Sequence, residues 1–188
     1  IIDFPTNGDD LTASLSELEN EPLSGVIIEP IQAMAGLKIA SKQSLQELRE
    51  FANRKKIPLI FDETFTGFGR TGKKFAFEHY DIVPDMIIFG KALSAGFPAG
   101  LVVSNEEILT HWEKGTQSST FQLNPVAAAA SLFFIDQIKN GDILENINNN
   151  AFKFDARLSE IKNLSGVVDV RGIGGIFVVE FVSAEINK

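Results

Sequence analysis

Three short apolar runs, Gly25-Val-Ile-Ile28, Pro58-Leu-Ile-Phe61 and Met86-Ile-Ile-Phe89, each lead into charged residues: Glu29 after the first, Asp62-Glu63 after the second, and Lys91, one glycine on, after the third. Runs this short and this continuous have the pattern of β-strands covered on both faces, as parallel strands are. Between the first two, over residues 41–55, Leu45, Leu48, Phe51 and Ala52 recur at helical spacing, and Lys55-Lys56 suit the negative end of a helix. Strand, helix, strand is a βαβ unit. It predicts an α/β fold with a mainly parallel sheet, in which ligands bind beyond the carboxyl ends of the strands. Glu29, Asp62 and Lys91 are therefore expected to project together from one sheet edge.

The rest of the chain extends this frame. A helix over residues 10–19 puts Leu11, Leu15 and Leu18 on one face, and residues 100–103 suit a further short, antiparallel strand. An alanine-rich helix from Pro125 to about Lys139 meets the stop signal Asn140-Gly141. Asp142-Ile-Leu-Glu145 has the form of a capping box opening a second helix towards Ile161, followed by strand-like stretches at 167–170 and 176–182. The pattern divides the chain into residues 1–140, part of one large domain, and residues 141–188, the start of a small α+β domain. The opening Ile1-Ile2-Asp3-Phe4-Pro5 carries no cap or hairpin signal and reads as part of a longer chain.

Charge and composition narrow the function classes. A net charge of -8 with no basic run argues against a phosphate-backbone-binding protein. Without cysteine there is no disulfide, thiolate metal site or thiol nucleophile, which fits a cytoplasmic enzyme. The longest apolar run, residues 126–135, falls short of the roughly 20 residues that cross a bilayer, so no membrane association is expected. His79 and His111 belong to no recognisable triad or metal pattern, and no metal is assigned.

Taken singly, each residue at the strand ends has an ordinary alternative. A lysine after a strand is usually a solvated turn residue, Asp62-Glu63 could cap the next helix, and Glu29-Pro30 could be a plain strand exit. Their conjunction suggests more. A lysine flanked by Gly90 and Ala92-Leu93 can be desolvated, which makes its amine a usable nucleophile for Schiff-base chemistry. A carboxylate opposite it, for which Asp62 is the candidate, would keep a pyridine nitrogen protonated and so support an electron sink.

Gly67-Phe-Gly69-Arg-Thr-Gly72 also matches the dinucleotide pattern, and residues 67–73 match the opening of a P-loop. Neither match carries the right surroundings. Position 74 is lysine where the P-loop needs Ser or Thr for its metal, and residues 63–66 separate the glycines from the strand they should follow. A non-catalytic nucleotide-binding α/β module is kept as the alternative from another class.

Together, Val26-Ile-Ile-Glu29-Pro30, Leu59-Ile-Phe-Asp62-Glu63, Thr66-Gly-Phe-Gly-Arg-Thr-Gly72, Pro84-Asp85, Gly90-Lys91-Ala92-Leu93, Ser119-Thr-Phe with Asn124-Pro125, and Val170-Arg171-Gly172 resemble class III aminotransferases in order and spacing. The likeness runs from about Leu11 to Phe181. It implies the fold type I architecture of enzymes that use pyridoxal 5'-phosphate (PLP), a homodimer with shared active sites, and transfer of an amino group between an amino compound and a keto or aldehyde acceptor. By position the resemblance makes Lys91 the Schiff-base lysine and proton shuttle, and Asp62 the partner of the pyridine nitrogen. It makes Thr64 a residue packed on the ring face, Thr120 the threonine binding the phosphate of the neighbouring subunit's cofactor, and Glu29 an acid supporting the site. An aminomutase, a decarboxylating transaminase or a racemase would share these residues.

Two positions depart from the family pattern. Thr64-Phe65 stand where many members carry Val-Gln, the Gln bonding the ring hydroxyl, so that contact is lost or replaced. Met34 stands where ornithine, acetylornithine and 4-aminobutyrate enzymes carry a gating glutamate, which argues against those substrates.

Overall fold

A computed structural model describes residues 3–6, 11–116, 120, 122 and 124–182. Four strands form the central sheet: β1 (Val26–Ile28), β4 (Leu59–Asp62), β5 (Met86–Phe89) and β6 (Leu101–Ser104), in the order β1-β4-β5-β6. The three apolar runs of the sequence are its parallel members, with Ile28 beside Phe61 and Asp62 beside Ile88, and β6 closes one edge antiparallel to β5. A small antiparallel pair, β2 (Ile31–Gln32) and β3 (Lys38–Ile39), follows β1.

The crossover from β1 to β4 is the helix α2 (Lys42–Lys55), and its ends are set by local chemistry. Ser41 Oγ accepts the N–H of Ser44 at 3.0 Å, and Lys56 ends the helix in a left-handed conformation whose N–H reaches back to Ala52 and Asn53. The face predicted from the spacing is buried: Leu45, Leu48, Phe51 and Ala52 pack with Leu59 and Phe61 of the sheet. Each of the leucine and phenylalanine side chains contributes about 1.5–3 kcal/mol by leaving water. Leu15 of α1 (Thr12–Glu17) and Leu11 before it join the same core. At the amino ends of the strands, Asp85 Oδ2 accepts both the Leu59 N–H at 2.8 Å and Arg49 Nη1 at 2.7 Å, aligning the starts of β4 and β5.

After β6 come α3 (Glu106–Leu109), α4 (Pro125–Asn140), α5 (Ile143–Ile161) and the hairpin β7 (Val167–Ile173) with β8 (Ile176–Phe181). Asn124 Oδ1 caps α4 by accepting the Val126 N–H at 2.9 Å, and Pro125 opens its first turn, where no N–H is needed. The hairpin returns to the first core through Ile173, Ile176 and Val178. Arg171 Nε donates to the Gly36 carbonyl at 2.7 Å, and the Gly175 N–H to the Arg70 carbonyl at 2.8 Å.

Two local expectations fail. Coverage of the parallel strands on both faces is incomplete, because Ile27 is 61% exposed. The capping box at Asp142 does not form either: its backbone lies at φ -89 and ψ 8, outside the extended conformation that aims a capping side chain at the first turn, and its carboxylate accepts no N–H there.

Candidate active site

The sheet register brings the strand ends together. Glu29 follows Ile28, the partner of Phe61, so it leaves β1 beside Asp62, while Lys91 lies three positions beyond Ile88, the partner of Asp62. The charges feel one another. Burial first, and then the Asp62 carboxylate, holds Glu29 above the usual carboxyl range, with the Lys91 ammonium pulling the other way. A cavity of about 360 Å³ runs along β1 and is lined by Glu29, Asp62, Gln32 and Phe4 among others.

Backbone geometry explains how each group is presented. Asp62 Oδ1 accepts the Thr64 N–H at 2.9 Å, which turns the chain sharply as it leaves β4 and fixes one carboxylate oxygen. Thr64 Cγ2 would lie 3.1 Å from a Cβ at Gly90, so the glycine lets Thr64 lie across the residue before the lysine without crowding. Lys91 then opens a short 3₁₀ turn (Lys91–Ser94) with φ 42, a left-handed conformation that costs a non-glycine residue about 1–2 kcal/mol. The expectation of a desolvated lysine is not met. Lys91 is exposed, because this turn carries its side chain off the end of β5, where Nζ lies 4.3 Å from the centroid of the Phe65 ring.

Glu63 was singled out only as half of an acidic pair, yet it is the best buried charged residue of the site, at 1% exposure. Its Oε2 and Oε1 accept the N–H groups of Ala76 and Phe77 at 2.7 and 2.9 Å, latching the loop that leaves β4 to the 3₁₀ turn Ala76–His79. Burial nonetheless pushes its carboxyl up to about 7 against the pull of those two N–H groups. Nothing in the local pattern pairs position 63 with 76, since the bond exists only once the intervening loop has closed.

The glycine-rich loop inside that latch is packed, not open. Phe68 is buried against Phe75, Phe89 and Phe134, with ring centroids 5.0–6.2 Å apart. A Cβ on Gly69 would meet Ile138, Leu144 and Ile147, and one on Gly72 would strike Asn148. Glycines that admit apolar helices leave no cradle for a phosphate, so the nucleotide-binding alternative loses its site. His79 Nε2 pairs with Thr71 Oγ1 at 3.0 Å within this packing, and burial lowers its pKa.

Thr120 lies in an exposed turn before α4. Among the described residues its side chain makes no hydrogen bond, and none links it to Lys91 or Asp62 of the same chain. Its neighbours Ser119 and Phe121, also part of the motif, lie outside the described residues.

Residues 6–188 match the family described as aminotransferase class-III. The chain belongs to the class III aminotransferases. Among curated members, the acetylornithine aminotransferase of Oceanobacillus iheyensis is 39% identical over 179 residues, covering 93% of this chain and 45% of the relative. That of Neisseria meningitidis serogroup A is 38% identical over 163 residues, covering 86% and 41%. In structure, the chain superposes on an ornithine aminotransferase from Plasmodium yoelii with a TM-score of 0.84 at 35% identity, over 93% of this chain and 47% of that one. It also superposes on the Toxoplasma gondii ornithine aminotransferase, which has PLP at partial occupancy in its active site, with a TM-score of 0.86 at 28% identity, over 96% and 42%. The architecture is fold type I, and this class III aminotransferase chain spans less than half the length of these relatives. Among its described residues no helix is long and apolar enough to cross a membrane.

Proposed function

We propose that the chain is the central and C-terminal portion of a PLP-dependent aminotransferase that moves an amino group between an amino compound and a keto or aldehyde acceptor. The observation that carries this reading is the meeting of Lys91, Asp62 and Glu29 at the carboxyl edge of three parallel strands. The residues suit the cofactor: an exposed primary amine, a carboxylate with one oxygen already fixed, and a glycine whose missing side chain lets Thr64 lie beside both. When bound, PLP supplies an aldehyde for an amine and a protonated ring that draws electrons from the substrate's α-carbon.

The chain's own groups then divide the work. Asp62 would hold the proton on the ring nitrogen, and Thr64 would pack against the ring face. Lys91 would hold the cofactor through its amine, and the same amine would serve as the base and acid that moves a proton at the substrate's α-carbon. Glu29, partly buried and with its carboxyl held above the usual range by that burial, would support the hydrogen bonds around them. The same residues would serve an aminomutase or a decarboxylating transaminase. Met34, 81% exposed on the turn after β2, offers no charge, which favours an amino donor other than those named for the ornithine and acetylornithine relatives.

The exposed Thr120, with no hydrogen bond among the described residues, supports a homodimer in which it reaches the partner's cofactor phosphate. The break between α4 and α5 supports a division into a large domain through residue 140 and a small one from residue 141. The cysteine-free sequence supports a cytoplasmic setting. The deciding experiment is borohydride reduction of the full-length protein with PLP, followed by peptide mass spectrometry. The covalent label is expected on Lys91, and a label on any other lysine would overturn the assignment.

A further inference from the structure

We propose that the face of Phe65 is a resting platform for the Lys91 amine, and that Phe65 thereby sets how readily this lysine takes up an aldehyde. The inference deepens the Schiff-base reading above and rests on it. Nζ of Lys91 lies 4.3 Å from the Phe65 ring centroid, inside the roughly 6 Å within which an ammonium is attracted to an aromatic face. Among the described residues it makes no hydrogen bond and no salt bridge, so the ring is its immediate partner.

The platform itself is held in place. Phe65 packs against the first core, and the Arg70 guanidinium carbon lies 5.1 Å from its centroid. Lys91 is directed towards the ring by an uncommon backbone, φ 42 immediately after a buried Gly90. An ammonium resting on the ring must leave it before Nζ, having given its proton to solvent, can attack an aldehyde carbon. A C=N bond then forms and water leaves. At position 65 this chain thus offers Lys91 an aromatic face.

Two variants of the full-length protein separate the platform from mere packing. Phe65→Leu keeps apolar bulk without a π face, and Phe65→Tyr keeps the face. With PLP as the probe and borohydride to trap the adduct at early times, label at Lys91 is expected to appear about two- to fivefold faster in Phe65→Leu and at the parent rate in Phe65→Tyr. The resting geometry is read separately, without PLP, by NMR of isotope-labelled lysine, using Lys91→Ala for assignment. The Lys91 ε-methylene is expected to be shifted upfield by the ring current in the parent and in Phe65→Tyr, but not in Phe65→Leu.

Label at Lys91 that appears no faster in Phe65→Leu would overturn this inference alone. A parent Lys91 ε-methylene at an ordinary solvated position would do the same, even if Phe65→Leu failed to fold. No label at Lys91 in the parent would remove the Schiff-base reading and this inference together.

Discussion

Tyr80 donates its hydroxyl to the carbonyl oxygen of Pro30 at 3.0 Å, joining the segment that follows the glycine loop to the exit of β1. Both residues are buried, and Pro30 directly follows Glu29, so one bond fixes the backbone on which a site carboxylate stands. Tyr80→Phe would leave that buried carbonyl with the Ala40 N–H, at 3.1 Å, as its one remaining donor among the described residues. The expected loss is about 0.5–1.5 kcal/mol, the net worth of one hydrogen bond, read as a lower urea midpoint at unchanged slope. A midpoint equal to the parent's would show that the bond adds nothing.

Glu63 makes stability depend on pH. Its carboxyl titrates near 7 in the folded chain against an ordinary value of 4.5, so the folded state holds a proton that the unfolded state has already lost across that window. The contribution is therefore fully present below 4.5 and is lost as pH rises through about 7, to the extent of about 3 kcal/mol. Glu63→Gln should flatten this slope while costing stability at the acid end, because one N–H loses its acceptor. Unfolding curves across the window test it, and an unaltered slope in the variant would assign the titration elsewhere.

Gly174 touches the loop more closely than any side chain would allow. It has φ 57, and a Cβ there would collide with the backbone of Thr71 and Gly72 and lie 2.7 Å from the Arg70 carbonyl. Since backbone cannot step aside as a flexible side chain does, Gly174→Ala should push the β7–β8 hairpin off the loop. A loss of at least 1–2 kcal/mol is expected from the left-handed conformation alone. New proteolytic cleavage within residues 70–74 would mark the separation, and parental resistance and stability would contradict it.

Much of the frame was readable in the chain as written. Met86-Ile-Ile-Phe89 reads as a strand because so short and continuous an apolar run suits one covered on both faces, and residues 100–103 read as the short antiparallel strand that β6 supplies. Asp62 and Glu29 could be placed at the sheet edge because parallel strands present their ends on one side. The parts that escaped depend on distance along the chain. Glu63 meets Ala76 and Tyr80 meets Pro30 only after folding, and no periodicity records such meetings. Lys91 was expected to be desolvated from its flanking residues, whereas its exposure follows from a left-handed turn that sequence does not announce at a lysine. At Asp142 the local motif was right in letters and wrong in backbone.

Asp62→Asn preserves an oxygen for the Thr64 N–H while removing the charge that would hold a ring proton. Turnover of the full-length protein should fall on the order of 10²- to 10⁴-fold, the range for losing a positioned proton, with little change in melting temperature. Turnover near the parent's would exclude Asp62 from the mechanism.

Mixing subunits tests the place of Thr120. If it serves the partner's cofactor, co-expressed Lys91→Ala and Thr120→Ala chains should form mixed dimers in which one site carries both lesions and the other carries neither. Activity per purified mixed dimer should approach half that of the parent and exceed that of either mutant homodimer. No recovery would place Thr120 at its own subunit's site, and a nearly active Thr120→Ala homodimer would deny it a phosphate role.

The bond from Arg171 to the Gly36 carbonyl closes a span of 135 positions, and this gives the protein a timetable during synthesis. At about 5–20 residues per second, the turn around Gly36 leaves the ribosome on the order of ten seconds before the arginine that completes it exists. Through that interval the early βαβ unit can fold, since α2 and its flanking strands lie close together in the chain. The Gly36 turn and the loop around Thr71 must wait for the hairpin. These two loops are thus secured later than the βαβ unit beside them, and stay open to a chaperone or protease for longer.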